Sequence, residues 1–138
     1  MGKYYKIKKC SNPKKETAWK NCAKYIKLRD AIKTTGNIDF TACVTCGKTK
    51  PIREMDAGHA IPGRMNSILF NEELINSQCR TCNRENKGEK LKYEQVMIER
   101  HGQEKWDYWQ STKRDAVQYS DFDYEQISKY FLKKTKEL

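Results

Sequence analysis

The stretch "CRTCN", residues 79–83, decides how this chain is read. Its two thiols repeat an earlier pair, "CVTC" at 43–46. Two intervening residues let both sulfurs of a pair reach one ion from a single tight turn, and two such turns complete a tetrahedron. Cys43, Cys46, Cys79 and Cys82 are therefore the expected ligands of one structural Zn2+. An all-thiolate set leaves no coordination position for water, which suits a staple rather than a reaction centre. Gly47 directly after the first pair supplies the turn. Cys10 and Cys22 have no partner at ligand spacing. Cys22 falls on an apolar helical stripe, and Cys10 is expected to be a free thiol in a basic segment.

With the four sulfurs on one ion, residues 47–78 become a loop closed at both ends. His59 sits on that loop in "MDAGHA" (55–60), Asp56 precedes it in the same stretch, and Asn83 follows the last thiol directly. A carboxylate oxygen, an amide oxygen and an imidazole are thus tied to one small frame. Oxygen ligands of this kind suit a hard cation such as Mg2+ or Mn2+, which takes further ligands from a phosphate. A neutral imidazole alongside can take a proton from water. Each residue alone has a plainer reading. A lone His on a strand is usually structural or solvated, and an Asx at a helix start is usually a cap. Their joint occurrence is what points to chemistry.

Composition favours a polyanionic partner. The chain carries 28 Lys and Arg against 18 Asp and Glu, a net charge of +10, with aromatic residues interleaved among the basic ones. Neutralising phosphates releases counterions, so nucleic acid is the expected ligand. At 138 residues, 37% hydrophobic and 33% charged, a single domain with a modest core is expected, one that a metal staple helps considerably. No apolar run reaches membrane-spanning length. The opening "MGKYYKIKKC" has neither the apolar stretch of a secretory signal nor the Ser or Thr of a myristoylation site. A reducing cytoplasm is the expectation, and there paired cysteines read as metal ligands.

Periodicity organises the rest. Residues 1–15 read as a basic arm. An N-terminal helix over 16–36 follows from Trp19, Cys22, Ala23 and Ile26, with Ala31 and Ile32 extending the stripe and Gly36 as the stop. "IREMDAGHAI" reads as a first strand, "NSILFN" at 66–71 as a second, and "IPGRM" as an exposed loop between them. A helix is expected from Asn83, interrupted at Gly88 and ended at Gly102, with further helices near 103–117 and 122–136. The aromatic residues in those last stretches are expected in the core. The prediction is an α+β chain: a zinc-stapled core over 43–88 and C-terminal helices over 89–138.

"DAGH" followed by "QCRTCNRENKG" resembles the HNH or His-Me finger endonucleases. More specifically it resembles the NinG (Rap) recombination nucleases of lambdoid phages and the phage recombination endonuclease VII. "YIKLRDA" (25–31), "CGK" (46–48), Gln78, Gly88 and "IERHG" (98–102) fit the NinG pattern, and the likeness spans roughly residues 17–112. It implies a ββα-metal fold with His59 as general base, and one catalytic Mg2+ or Mn2+ held by Asp56 and Asn83. The substrate it implies is branched recombination-intermediate DNA such as a Holliday junction, inside a bacterial host. Arg64, Arg84 and Lys87 are candidates to hold flanking phosphates, although each alone fits a solvated face equally well. Cutting both strands of a branch needs two sites, hence a homodimer as a hypothesis. Two positions depart from the pattern. Leu74 stands where many HNH enzymes have an Asn that braces the base, so either Asn76 or Asn71 substitutes or the brace is absent. Gly58 stands where His or Asp precedes the base. The competing expectation is a non-catalytic zinc module of phage recombination that binds nucleic acid.

Overall fold

A computed structural model describes residues 12–138; Cys10 and the first eleven residues of the expected basic arm lie outside them. The first helix, α1, spans Pro13–Thr35. It takes in residues 13–15, which the sequence assigned to the arm. Asn12 accepts a hydrogen bond from the Lys14 amide and Pro13 occupies the first helical position, so the helix starts before Glu16. It ends where Gly36 adopts φ 74° and donates its N–H to the Ala31 and Ile32 carbonyls. Ala18, Cys22, Ile26 and Ala31 form its buried face. Cys22 lies fully buried on this helix, as its spacing suggested, and burial pushes its thiol up to about 12.

Two short antiparallel ladders lie against α1. Strands β1 (Phe40–Ala42) and β2 (Thr49–Pro51) form a hairpin whose connection carries Cys43 and Cys46. Strands β3 (Met55–His59) and β4 (Ile75–Cys79) pair so that Met55 faces Cys79 and His59 faces Ile75. The expected second strand at 66–71 is not a strand. Asn66–Leu69 is a single helical turn, α2, and its adjacent residues Ile68 and Leu69 are both buried. The alternation of a strand cannot bury two neighbours on one face. The true partner strand reads "INSQC", polar in composition yet buried throughout. Most of its polar groups find partners on other elements, which makes their burial tolerable; Ser77 Oγ and Gln78 Oε1 are the exceptions among the described residues.

Those matches also explain "KLRDA". Asp30 accepts from the Ser77 amide at 2.6 Å. Arg29 donates to the Ile75 carbonyl at 2.8 Å and the Glu72 carbonyl at 3.0 Å, and pairs with Asp30 at 2.8 Å. The two side chains fasten α1 to β4 through β4's own backbone.

After β4, Thr81–Glu85 forms a wide π-type turn closed by the Asn86 amide on the Thr81 carbonyl at 2.8 Å. The chain breaks at Gly88, as expected, and α3 runs over Lys90–His101. Helix α4 (Gln103–Thr112) stops short of 117. Asn66 bonds the Val117 carbonyl and Ser67 the Lys113 carbonyl, so the chain beyond Thr112 is drawn onto α2 instead of continuing as helix. Trp106 and Trp109 pack edge to face at 6.5 Å within a core that includes Leu74, Tyr93 and Met97. The last helix, α5 (Asp121–Lys136), begins with a capping box between Ser120 and Asp123. It lies parallel to α1, joined by Asn12–Asp121, Lys14–Glu125 and the Tyr25–Phe131 ring contact.

Replacing Asp30 by Ala removes a buried carboxylate from both a backbone amide and Arg29. An unfolding free energy lower by about 3 kcal/mol is expected in urea denaturation, the usual cost of breaking a buried pair on one side. A loss below about 1 kcal/mol counts against the staple.

Candidate functional site

The two Cys turns converge. Sγ atoms of Cys43, Cys46, Cys79 and Cys82 all lie within 4.8 Å of one another, and Cys46 and Cys79 are 3.8 Å apart. Zinc–sulfur bonds of about 2.3 Å place tetrahedral sulfurs about 3.8 Å apart, so the set fits that ion. The two turns are built alike: the Cys46 amide points at Cys43 Sγ and the Cys82 amide at Cys79 Sγ, each at 3.5 Å. Burial alone would raise the Cys43 thiol. The amides of Cys46, Cys79 and Thr45 and the Thr45 hydroxyl outweigh it and bring the thiol down to about 6, toward the thiolate a metal requires. The cluster could hold a structural metal such as zinc.

His59 closes β3 beside α1. Its ring stacks on Trp19 with centroids 5.0 Å apart and planes 21° from parallel. Arg64 lies over the same indole at 4.7 Å. His59 Nε2 meets the Leu69 carbonyl at 3.1 Å. A carbonyl only accepts, so the proton sits on Nε2 and the lone pair on Nδ1. Burial holds its pKa below the ordinary 6.5; the Leu69 bond acts against this and the Arg64 charge adds to it. Near neutral pH the ring is therefore an uncharged base with one nitrogen free.

Asp56 and Asn83 meet directly, with Asn83 Nδ2 donating to Asp56 Oδ2 at 2.9 Å. Arg84 also grips that carboxylate through both oxygens at 2.8 Å, and Arg80 stands 4.0 Å away. Partial burial alone would raise the Asp56 carboxyl, but Arg84, Asn83 and Arg80 together hold it below its usual value. Strand alternation places Asp56 and Gly58 on one face of β3 and His59 on the other. His59 and Asn83 nonetheless line one cleft of about 260 Å³ at the end of the strand, together with Arg64, Lys87 and Lys90. Asp56 stands behind Asn83 rather than in the cleft wall. Arg64 and Lys87 both have left-handed backbones, φ 50° and 52°, a strained conformation for non-glycine residues that tends to gather at working sites.

Several parts of this arrangement are invisible in the sequence. Trp19 reads there as part of an apolar stripe, and Lys90 as one charge among many. Tyr93 is fully buried and donates its hydroxyl to the Gly58 carbonyl at 2.6 Å, anchoring the strand next to His59. At position 74, where the resemblance calls for a bracing Asn, the chain has Leu. The Leu74 carbonyl accepts from the Ala60 amide at 2.8 Å while its side chain fills the core. Asn71 only caps the short turn Glu72–Leu74, and Asn76 joins Tyr93 to Arg29 and Arg100.

These features define a basic α+β protein with a four-cysteine cluster fit for a metal. The family model described as Bacteriophage Lambda NinG protein matches residues 3–138. The chain belongs to that family. No curated protein and no solved structure matches it. No helix among the described residues is long and apolar enough to cross a membrane.

Replacing Cys79 by Ser is expected to abolish stoichiometric zinc in elemental analysis of the purified protein. It should also abolish the cooperative thermal transition, because structural zinc contributes on the order of 10 kcal/mol, comparable with a whole domain's stability. A variant that melts like the native protein excludes a structural metal here.

Proposed function

We propose that this protein is a metal-dependent DNA endonuclease, with β3, β4 and the turn over Thr81–Glu85 as a ββα-metal (His-Me finger) unit. The observation that carries the reading is His59: uncharged, with Nε2 committed to the Leu69 carbonyl, in a cleft otherwise lined by Arg64, Lys87 and Lys90. A partly buried histidine serving only the packing has no need of a basic cleft.

In this reading His59 Nδ1 accepts the proton of a water as that water attacks phosphorus. Trp19 and the Leu69 carbonyl hold the ring at a fixed angle. Asn83 and Asp56 hold a Mg2+ or Mn2+, whose donor set of amide and carboxylate oxygens suits a hard ion. When bound, that ion supplies positive charge for the pentavalent phosphorus and the leaving oxygen. Arg84 occupies the Asp56 carboxylate in the free protein. Its side chain is exposed and can transfer to a phosphate once the carboxylate is engaged elsewhere, exchanging one charge pair for another. Arg64, Lys87 and Lys90 hold flanking phosphates, which gives affinity and register rather than sequence choice. The NinG family match supports recombination intermediates as the substrate class, and paired cuts across a branch would use two copies of the chain.

The test is a Mg2+ and Mn2+ titration over linear, flapped, D-loop and four-way DNA. Cleavage is expected with the native protein, and His59→Ala should lower its rate by about 10²–10⁴-fold while leaving DNA binding intact. Binding without cleavage by the native protein assigns it instead to the non-catalytic zinc modules. A base must be unprotonated, so the acid limb of the rate profile should fall below 6.5, the ordinary histidine value from which His59 is lowered. An acid limb above 6.5 removes His59 from that role. Solution mass with and without branched DNA tests the dimer; a monomer in both excludes it.

A further inference from the structure

Gln78 is wholly buried in β4, and its two amide ends are treated differently. Nε2 donates to Thr45 Oγ1 at 3.1 Å and to the Gly88 carbonyl at 2.9 Å. Oε1 has no hydrogen-bond partner among the described residues. An unmatched buried acceptor is costly, and one whose other end is so firmly fixed cannot turn away to find a partner.

Gly58 shows where that oxygen points. A Cβ on Gly58 would stand 2.3 Å from Gln78 Oε1 and 3.0 Å from Asn83 Oδ1. Two amide oxygens thus converge on one small space beside Gly58, which lines the cleft with His59 and Asn83. Neither oxygen can donate, so they cannot satisfy each other. Asn83 is fixed in the same sense as Gln78, because its Nδ2 is taken by Asp56. What two converging, orientation-locked acceptors call for is a cation or a donor between them. The absence of a side chain at position 58 is what leaves the space.

We propose that Gln78 Oε1 and Asn83 Oδ1 are a pair of neutral oxygen ligands for a divalent cation above Gly58. Gln78 is then a metal ligand beyond those named so far, and this rests on the reading that places a hard cation at Asn83. It explains why the residue next to Cys79 is an amide. The Nε2 bonds to Thr45 and Gly88 tie the second metal's position to the Cys43–Cys46 turn and to the end of the helical turn. The zinc frame and the cation site are one construction, with Gln78 as the link.

Side-chain amide NMR signals of the native zinc-loaded protein, followed through a Mg2+ titration, test this without mutation or activity. The NH2 signals of Gln78 and Asn83 should shift together with one binding curve. Movement at Asn83 with Gln78 unmoved overturns the proposal and leaves the nuclease reading standing. Movement at neither overturns it as well. Joint movement in a protein that cuts no DNA sustains the cation site and overturns the nuclease. As a second measurement, Gln78→Met removes the ligand oxygen from a side chain of similar length and should weaken Mn2+ binding about tenfold by titration calorimetry. Gly58→Ala, whose Cβ displaces Oε1, should weaken Mn2+ binding while zinc content stays stoichiometric. Native Mn2+ affinity in both folded variants excludes Gln78 as a ligand.

Discussion

Closure of residues 47–78 by sulfur is the constraint on which the candidate site depends. At this end of the molecule the buried cluster consists of Cys43, Cys79, Cys82 and Met55, so there is almost no hydrocarbon to hold the two turns together. A separate cluster of two tryptophans, Tyr93, Met97, Leu74 and Ile68 is a conventional core, and Val44 of the first Cys turn packs against it. An ion across the four sulfurs would act where the hydrophobic effect is weakest, and there its contribution would be largest. The chain of 138 residues with 37% hydrophobic content can form a stable fold on these terms.

Strand β4 distributes that constraint. Its first residue packs on the α1–α5 cluster, its last is a cluster sulfur, and each polar residue between bonds outside the sheet. Asn76 reaches Tyr93, Arg29 and Arg100; Ser77 takes Asp30 through its amide; Gln78 reaches Thr45 and Gly88. A strand so connected cannot slip in register without breaking bonds to α1, α3 and the first Cys turn together. His59, paired opposite Ile75, inherits that rigidity. Its orientation is finished by groups with no side-chain signature of their own, the Leu69 carbonyl above all.

Charge is arranged around this frame in two layers. Close in, Asp56 is held by Arg84 and Asn83, so its charge is neutralised within the protein. Further out, Arg64, Lys87 and Lys90 leave the rim of the cleft positive. On the proposed reading, a phosphodiester entering this cleft would meet attraction from those side chains and an uncharged imidazole beside them, the arrangement a base needs to work on an anion.

Local spacing was enough to identify the four cysteines, the breaks at Gly36, Gly88 and Gly102, the buried role of the C-terminal tryptophans and the likeness to the NinG family. Each of those is encoded in residues within a turn or two of one another, or in an ordered motif. The second strand was misread because "NSILFN" has the composition of a strand and "INSQC" does not. Burial of β4 is decided by Arg29, Asp30 and Tyr93, which are distant in sequence. The same holds for the proton on His59, set by a carbonyl; for the orientation of Asn83, set by a carboxylate across the sheet; and for Gly58, needed because Gln78 fills the place of its side chain. Sequence determined which chemical groups this protein carries. Only the tertiary structure decided which way they face, because direction comes from hydrogen bonds between segments that spacing along the chain does not relate.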